Sequence, residues 1–186
     1  MKNKGFSLVE LIIVIAIMAI LAAAIAPALI RYIDKSRRAD DVAAAESVNT
    51  AAQAAFSNEE AYDEVQNELA SPATKTTDKN GDSVVKLAES NAGSSTWTGV
   101  SNNINTTNKA FLTELSSNVG SESPKVKYTK ELTGGQSGAV WVVGINEKNN
   151  KPVVWLADKF KTGTDSKKNS DGIGLQLQPS ITAPYK

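Results

Sequence analysis

The amino-acid sequence predicts an α+β protein in which a long N-terminal helix packs on a small antiparallel β-sheet. Three observations lead to this fold class. A short basic start precedes a long apolar run, helical periodicity continues beyond that run, and the composition then changes to Ser, Thr, Asn and Gly with short β-branched stretches. These changes divide the chain into a polar start, a membrane-spanning helix, its amphipathic continuation and a β-rich head, at residues 1–5, 6–30, 31–71 and 72–186.

Leu11–Ile30 is a run of 20 uncharged residues. At about 1.5 Å per residue, a helix of this length spans roughly the 30 Å hydrocarbon core of a bilayer. The run is unusual for a permanent anchor, because seven residues are Ala, Pro27 lacks a backbone donor, and Glu10 places a carboxylate at its start. These features are typical of a helix that inserts into a membrane, leaves it and packs against copies of itself. A secretory signal peptide is the alternative, although its apolar core is only about 7–15 residues long.

Beyond the apolar run, hydrophobic residues recur three or four positions apart, which predicts an amphipathic helix. Ser57 and Glu60 fit a capping box, so we expect a second helical stretch that begins there and continues to about Leu69, before Pro72. The apolar positions of the first stretch are Ile30, Ile33, Val42, Ala45, Val48, Ala52, Ala55 and Phe56.

The remainder of the chain contains short runs rich in β-branched and aromatic residues, which predict strands. The run AVWVVGI is apolar on both faces, so we expect it to be a central strand with one side on the helix. Residues 108–120 predict a short helix, and NEKNNK predicts a hairpin turn. The predicted strands are residues 83–87, 125–132, 139–145 and 152–157.

The composition argues against several classes of function. The chain has no Cys and no His, which removes disulfides, thiolate chemistry, imidazole bases and the common zinc sites. The run TGGQSGAV lacks the lysine of a phosphate-binding loop and is interpreted as a turn before a strand. Acidic and basic residues balance at 20 each, so the net charge does not indicate a nucleic-acid partner. We therefore expect neither enzymatic activity nor nucleic-acid contact.

The N-terminal run KGFSLVELIIVIAIMAILAAAIAP closely resembles the start of type IV pilins and of the related pseudopilins of secretion and DNA-uptake systems. A short basic leader ends in Lys4 and Gly5, and Phe6 opens the apolar run. Glu10 follows four residues after Phe6, and Pro27 follows 21 residues after it. The resemblance covers residues 1–40, about a fifth of the chain.

This resemblance implies how the precursor is processed and placed. A membrane aspartic peptidase on the cytoplasmic side would recognise Lys4, cleave between Gly5 and Phe6, and the new Phe6 amine would be N-methylated. The precursor would cross the membrane once with its N-terminus in the cytoplasm. The flanking charges alone leave the orientation ambiguous, because Arg31, Lys35, Arg37 and Arg38 follow the apolar run.

The resemblance also implies polymerisation into an extracellular helical filament, driven by a platform protein and a cytoplasmic assembly ATPase. Such a type IV pilus would serve adhesion, surface motility or DNA uptake. A pseudopilin of a type II secretion or competence system is the alternative. A third possibility, an enzyme or binding protein on a permanent anchor, is disfavoured by the missing His and Cys.

In such filaments Glu10 is thought to neutralise the Phe6 amine of an adjacent subunit. Pairing relieves the cost of burying two opposite charges between helices. The alternative is a Glu10 that extends to the lipid headgroups. Two readings also remain for the basic cluster 31–38 beside Asp40 and Asp41: ion pairs between stacked subunits, or headgroup contact before assembly together with a solvated face.

The head lacks the cysteine pair that holds the C-terminal loop in many pilins. In this respect it resembles the cysteine-free heads that occur among pilins of Gram-positive bacteria. We therefore expect the C-terminal part to be held by strand pairing around Ile173–Leu177 or by neighbouring subunits. The NTT run at 105–107 matches a glycosylation sequon by pattern, but the favoured interpretation is a plain polar loop in a chain rich in Asn and Thr.

One metal site is suggested by the run DKNGDSVVKLAE. Asp78, Asn80, Asp82 and Glu89 match loop positions 1, 3, 5 and 12 of a calcium-binding loop, whereas Ser83 stands where that loop needs glycine. The favoured interpretation is instead a β-hairpin, because Asn-Gly is a strong hairpin signal, and calcium binding is the alternative to it. No cofactor is otherwise expected.

Overall fold

The computed structural model describes residues 6–70, 72, 75–78, 80–99, 109–132, 135–158, 175–178, 181 and 185. Its helices are α1 (Leu8–Ala55), α2 (Glu59–Ala70) and α3 (Ala110–Val119), together with a short 3-10 helix at Gly135–Gly138. Its strands are β1 (Lys75–Thr77), β2 (Ser83–Asn91), β3 (Thr98–Gly99), β4 (Ala139–Asn146), β5 (Pro152–Asp158) and β6 (Leu175–Gln178). The predicted α+β class, a long apolar N-terminal helix followed by an antiparallel sheet, is confirmed.

The chain forms two compact units, residues 1–37 and 38–186. In the first unit the described residues are almost entirely helical and belong to α1. In the second unit the strands form one antiparallel sheet with the order β1-β2-β4-β5-β6, and β3 pairs with β2. Strand β4 lies between β2 and β5 and is buried along its whole length, so its predicted central position is confirmed.

The central strands β4 and β5 are buried on both faces, because their alternate residues belong to different clusters. Trp141 and Val143 of β4 share one core cluster with Val48 and Ala52 of helix α1. On the opposite face, the second cluster consists of Val84, Val140, Val142, Val153, Trp155 and Ala157. The run AVWVVGI is therefore apolar at every position because both faces of its strand are packed. A strand with one face in solvent would alternate apolar and polar residues.

Gly144 of β4 provides the space that the second face requires. A Cβ atom at this position would lie 2.7 Å from the carbonyl oxygen of Val85 and 2.9 Å from the indole ring of Trp155. Gly144 pairs with Lys86, next to the point where the register of β2 shifts. The absence of a side chain thus lets the indole of Trp155 lie directly against the backbone.

Three local features differ from the sequence prediction. Residues 125–132 are not a strand, because the backbone amides of Lys127 and Tyr128 donate to a helix side chain and not to a neighbouring strand. The short strands β1 and β3 were not predicted. The N-cap of α2 is Asn58, whose Oδ1 accepts from the amide of Ala61 at 3.2 Å; the predicted capping box at Ser57 is therefore wrong by one residue.

The other predicted elements are present. Helix α3 lies within the predicted 108–120, and β2, β4 and β5 contain the predicted strands 83–87, 139–145 and 152–157. The tight turn between β4 and β5 is closed by a bond from the Asn150 amide to the Asn146 carbonyl, 2.9 Å. The sequon at 105–107 lies outside the described residues.

Candidate functional site

The first candidate site is the apolar surface of helix α1 within the first unit. Every large apolar side chain from Phe6 to Ile33 is exposed, from 39% at Ile33 to 78% at Phe6. A contiguous apolar surface of this extent is not stable in water and marks contact with lipid or with another chain. By length and composition, α1 is also able to cross a membrane. The surface therefore needs an apolar environment that the described chain does not itself supply.

Glu10 lies at the start of this surface, and its carboxylate caps the helix. The backbone amide of Ser7, the residue before α1, donates to Oε2 of Glu10 at 2.9 Å. Ser7 and Glu10 therefore make one half of a capping box, and the negative charge lies at the positive end of the helix dipole. We did not predict this bond, although SLVE carries the Ser-x-x-Glu signature. Glu10 thus has a partner in its own chain.

The other predicted residues of the N-terminal segment are placed as follows. Phe6 directly precedes Ser7 and is strongly exposed. Pro27 lies inside α1, where it has no N–H for the carbonyl of Ala23, four residues earlier. A neighbouring chain or water must satisfy that carbonyl when the helix is in an apolar environment. Lys4 and Gly5 lie outside the described residues.

The second candidate site is a buried carboxylate in the second unit, on α1. Asp41 is fully buried and accepts hydrogen bonds from the backbone amides of Lys127 at 2.6 Å and Tyr128 at 2.8 Å. The hydroxyl of Tyr185 lies 3.3 Å from Oδ2 of Asp41 and 3.0 Å from the carbonyl oxygen of Tyr128, so its single proton is shared between two acceptors. These four residues are called the Asp41 clamp.

Burial dominates the electrostatics of the clamp. It raises the pKa of Asp41, and the two amides and the Tyr185 hydroxyl, which favour the ionised form, offset this only in part. Burial, together with the nearby Asp41 charge, also raises the pKa of Tyr185, so its hydroxyl keeps its proton. The aromatic rings of Tyr128 and Tyr185 meet edge to face at 5.5 Å. The Arg38 guanidinium lies 5.2 Å from the centre of the Tyr128 ring.

Three predicted features lie at the clamp or near the C-terminal end of the chain. Asp41 was considered for ion pairs between subunits, but it is buried within its own chain. Asp40 beside it forms an exposed pair with Lys127 at 2.9 Å. Strand pairing near the C-terminal end, predicted around Ile173–Leu177, is confirmed for β6, which pairs with β5. Tyr185 is a second attachment point that the sequence did not indicate.

A second buried carboxylate joins α2 to α3. Glu64 accepts from the backbone amides of Ala110 at 3.1 Å and Phe111 at 3.0 Å, at the N-terminus of α3. The residue at the N-cap of α3, Lys109, makes no capping bond with its own side chain. Glu64 therefore caps α3 from another helix, which places a negative charge at the favourable end of the α3 dipole.

The predicted calcium-loop residues are only partly brought together. Asp78, Asn80 and Asp82 share the turn between β1 and β2, where Oδ1 of Asp78 accepts from the amides of Asn80 at 2.8 Å and Asp82 at 2.9 Å. Glu89 lies on β2 and pairs with Lys86 at 2.8 Å. Among the described residues, no group of three or more acidic side chains is placed to hold a metal. The geometry supports the hairpin interpretation.

Comparison with known proteins gives two matches. Residues 1–26 match the family model described as the prokaryotic N-terminal methylation motif. The chain is also 35% identical over 68 residues to the type IV major pilin protein PilA of Myxococcus xanthus strain DK1622. That alignment covers 37% of this chain and 31% of the relative, so the chain matches about a third of the relative's length. No solved structure is significantly similar to the chain. The two matches confirm the resemblance that the N-terminal residues indicate.

Proposed function

We propose that this chain, which carries the N-terminal methylation motif and resembles a type IV major pilin over 68 residues, is the precursor of a structural pilus subunit. The observation that carries the proposal is the exposed apolar surface of α1, which starts within the methylation motif and ends near Ile33. Such a surface suits a subunit that is stored in lipid and then buried between copies of itself.

The first step of the proposed function is processing at the membrane. A prepilin peptidase and methyltransferase recognises Lys4, cleaves after Gly5 and methylates the amine of Phe6. Residues 1–5 are then the leader, and residues 6–30 the segment that crosses the membrane with its N-terminus in the cytoplasm. The exposure of Phe6 and Ser7 supports this step, because a protease needs access to the backbone that follows the scissile bond.

The second step is polymerisation into an extracellular filament by a platform protein and an assembly ATPase. Cleavage creates a charged amine at Phe6. This amine is one residue from Ser7, whose backbone amide already donates a hydrogen bond to Glu10. In the filament, the same carboxylate neutralises the Phe6 amine of an adjacent subunit. The bond to Ser7 satisfies Glu10 before assembly, so the carboxylate is not left without a partner at either stage.

The pilus role ranks above the pseudopilin role because the named relative is a major pilin. Both roles share processing, membrane insertion and polymerisation, and they differ in the length and location of the filament. Adhesion, motility and DNA uptake are the uses that we propose for the longer filament.

Intact mass spectrometry of filaments sheared from the producing cells tests the proposal. The expected species begins at Phe6 and carries one additional methyl group. A processed protein found only in membranes, never in the sheared fraction, would instead favour the pseudopilin. A protein that retains residues 1–5 in every fraction would contradict both roles and indicate a permanent anchor.

A further inference from the structure

A group of cations lies at the C-terminal end of the apolar segment. Arg31, Lys35 and Arg37 follow the last uncharged residue of the run, Ile30, and all three side chains are exposed. Within the described residues, none of them forms an ion pair with a carboxylate. Tyr32, between the first two, is 72% exposed. These four residues are called the basic collar.

The collar surrounds the helix. At 100° per residue, Arg31 and Lys35 lie about 40° apart, whereas Arg37 lies about 120° from Arg31 on the other side of the helix. A partner that covers one face would meet only part of this set. Lipid headgroups meet a membrane helix from all sides, so the arrangement suits a bilayer surface.

The depth of the collar also matches a headgroup layer. Arg31 and Arg37 are separated by about 9 Å along the helix axis. A bilayer has about 5–8 Å of polar headgroup region on each side of its hydrocarbon core. Long basic side chains extend their charges into this layer, and Tyr is typical of it because its ring is apolar and its hydroxyl is polar.

We propose that the basic collar binds anionic phospholipid headgroups on the outer face of the membrane while the precursor awaits assembly. This inference rests on the proposed function, which places residues 31–37 on the exit side. Cations on that side oppose the usual bias of basic residues toward the cytoplasm. Attraction to headgroup phosphates offsets this disadvantage and sets the depth of the helix before it is extracted.

The test uses the full-length chain, purified in mild detergent and placed in nanodiscs of phosphatidylcholine alone or mixed equally with phosphatidylglycerol. Native mass spectrometry then counts the lipids that remain bound to the protein after it is released from the nanodisc. The variant Arg31→Gln/Lys35→Gln/Arg37→Gln removes the collar charges. The matched control Lys125→Gln/Lys148→Gln/Lys151→Gln removes three exposed charges from the second unit.

We expect the unmodified chain and the control to retain phosphatidylglycerol in preference to phosphatidylcholine, and the collar variant to lose about tenfold in this preference. Millimolar inorganic phosphate should not displace the lipid; displacement would identify a free-phosphate site and overturn the proposal. An unchanged preference in the collar variant would also overturn it. If that variant instead loses only filament assembly, the collar contacts another subunit and not lipid. Absence of filaments from the unmodified chain would reject the pilus role without altering the measured lipid preference.

Discussion

Asp41 and Tyr185 are 144 positions apart in the sequence, yet the Tyr185 hydroxyl lies 3.3 Å from the Asp41 carboxylate. The same carboxylate holds the backbone at Lys127 and Tyr128. One side chain of helix α1 therefore connects a middle segment of the chain with a residue near its C-terminal end. In a sequence without cysteine, this polar contact performs part of the work that a disulfide performs elsewhere.

Replacing Asp41 with Ala should lower the free energy of unfolding by about 3–5 kcal/mol, because two buried amides lose their acceptor and the Tyr185 hydroxyl loses one of its two acceptors. Fluorescence of the three tryptophans, Trp97, Trp141 and Trp155, reports the unfolding of the second unit in denaturant. The matched control is Asp40→Ala, which breaks an exposed pair and should cost less than about 1 kcal/mol. Equal effects of the two variants would show that the clamp contributes no more than a surface ion pair.

The pKa of Asp41 is raised above its ordinary value of 3.8 by burial, which sets the sign of its pH dependence. The folded chain binds the proton more tightly than the unfolded chain, so the contribution of this residue to stability is greatest below pH 3.8 and is lost as pH rises through the folded pKa.

Asp41→Asn removes this titration while keeping an acceptor oxygen. The unfolding midpoints of both proteins are measured from neutral pH into mild acid. As pH falls, the midpoint of the Asp41 protein should rise relative to that of the Asn variant. The opposite trend would mean that the amide bonds outweigh burial and that the pKa is lowered.

Gly144→Ala should destabilise the second unit by about 1–3 kcal/mol, because the new methyl group meets a backbone carbonyl that cannot rotate away. Gly81→Ala is the control. Gly81 has open space around its Cβ position but a positive φ of 86°, so only backbone strain of about 1 kcal/mol is expected. Thermal unfolding of both variants distinguishes the two causes. A Gly144→Ala protein as stable as the control would show that β4 shifts to make room.

Glu10 is tested by two substitutions. Glu10→Ala removes both the cap on Ser7 and the negative charge, and should abolish incorporation into filaments while leaving membrane insertion intact. Glu10→Gln keeps an acceptor for the Ser7 amide but not the charge. If Glu10 pairs with the Phe6 amine of a neighbour, the Gln variant should fail as completely as the Ala variant. Normal filaments from the Gln variant would assign Glu10 to helix capping alone. Sheared-fraction yield and membrane content are measured on the same cells.

The elements that follow from local patterning were predictable from the sequence. Local hydrophobic patterns mark each of these elements in the sequence. They are the membrane-length run, the amphipathic periodicity of α1, and the apolar strands β4 and β5. The Gly5, Phe6 and Glu10 spacing predicted the methylation motif for the same reason, since these signals lie close together within the matched residues 1–26.

Only the tertiary structure decided the roles of Asp41 and Glu64. Each lies in an acidic, lysine-free stretch that predicts a solvated face, yet each is buried against backbone amides 86 and 46 positions away, at Lys127 and Ala110. Amides are present in almost every residue, so nothing in the sequence marks which of them a carboxylate will meet. The failed strand at 125–132 has the same cause, because β-rich composition shows that a segment is extended but not whether another strand or a side chain takes its hydrogen bonds.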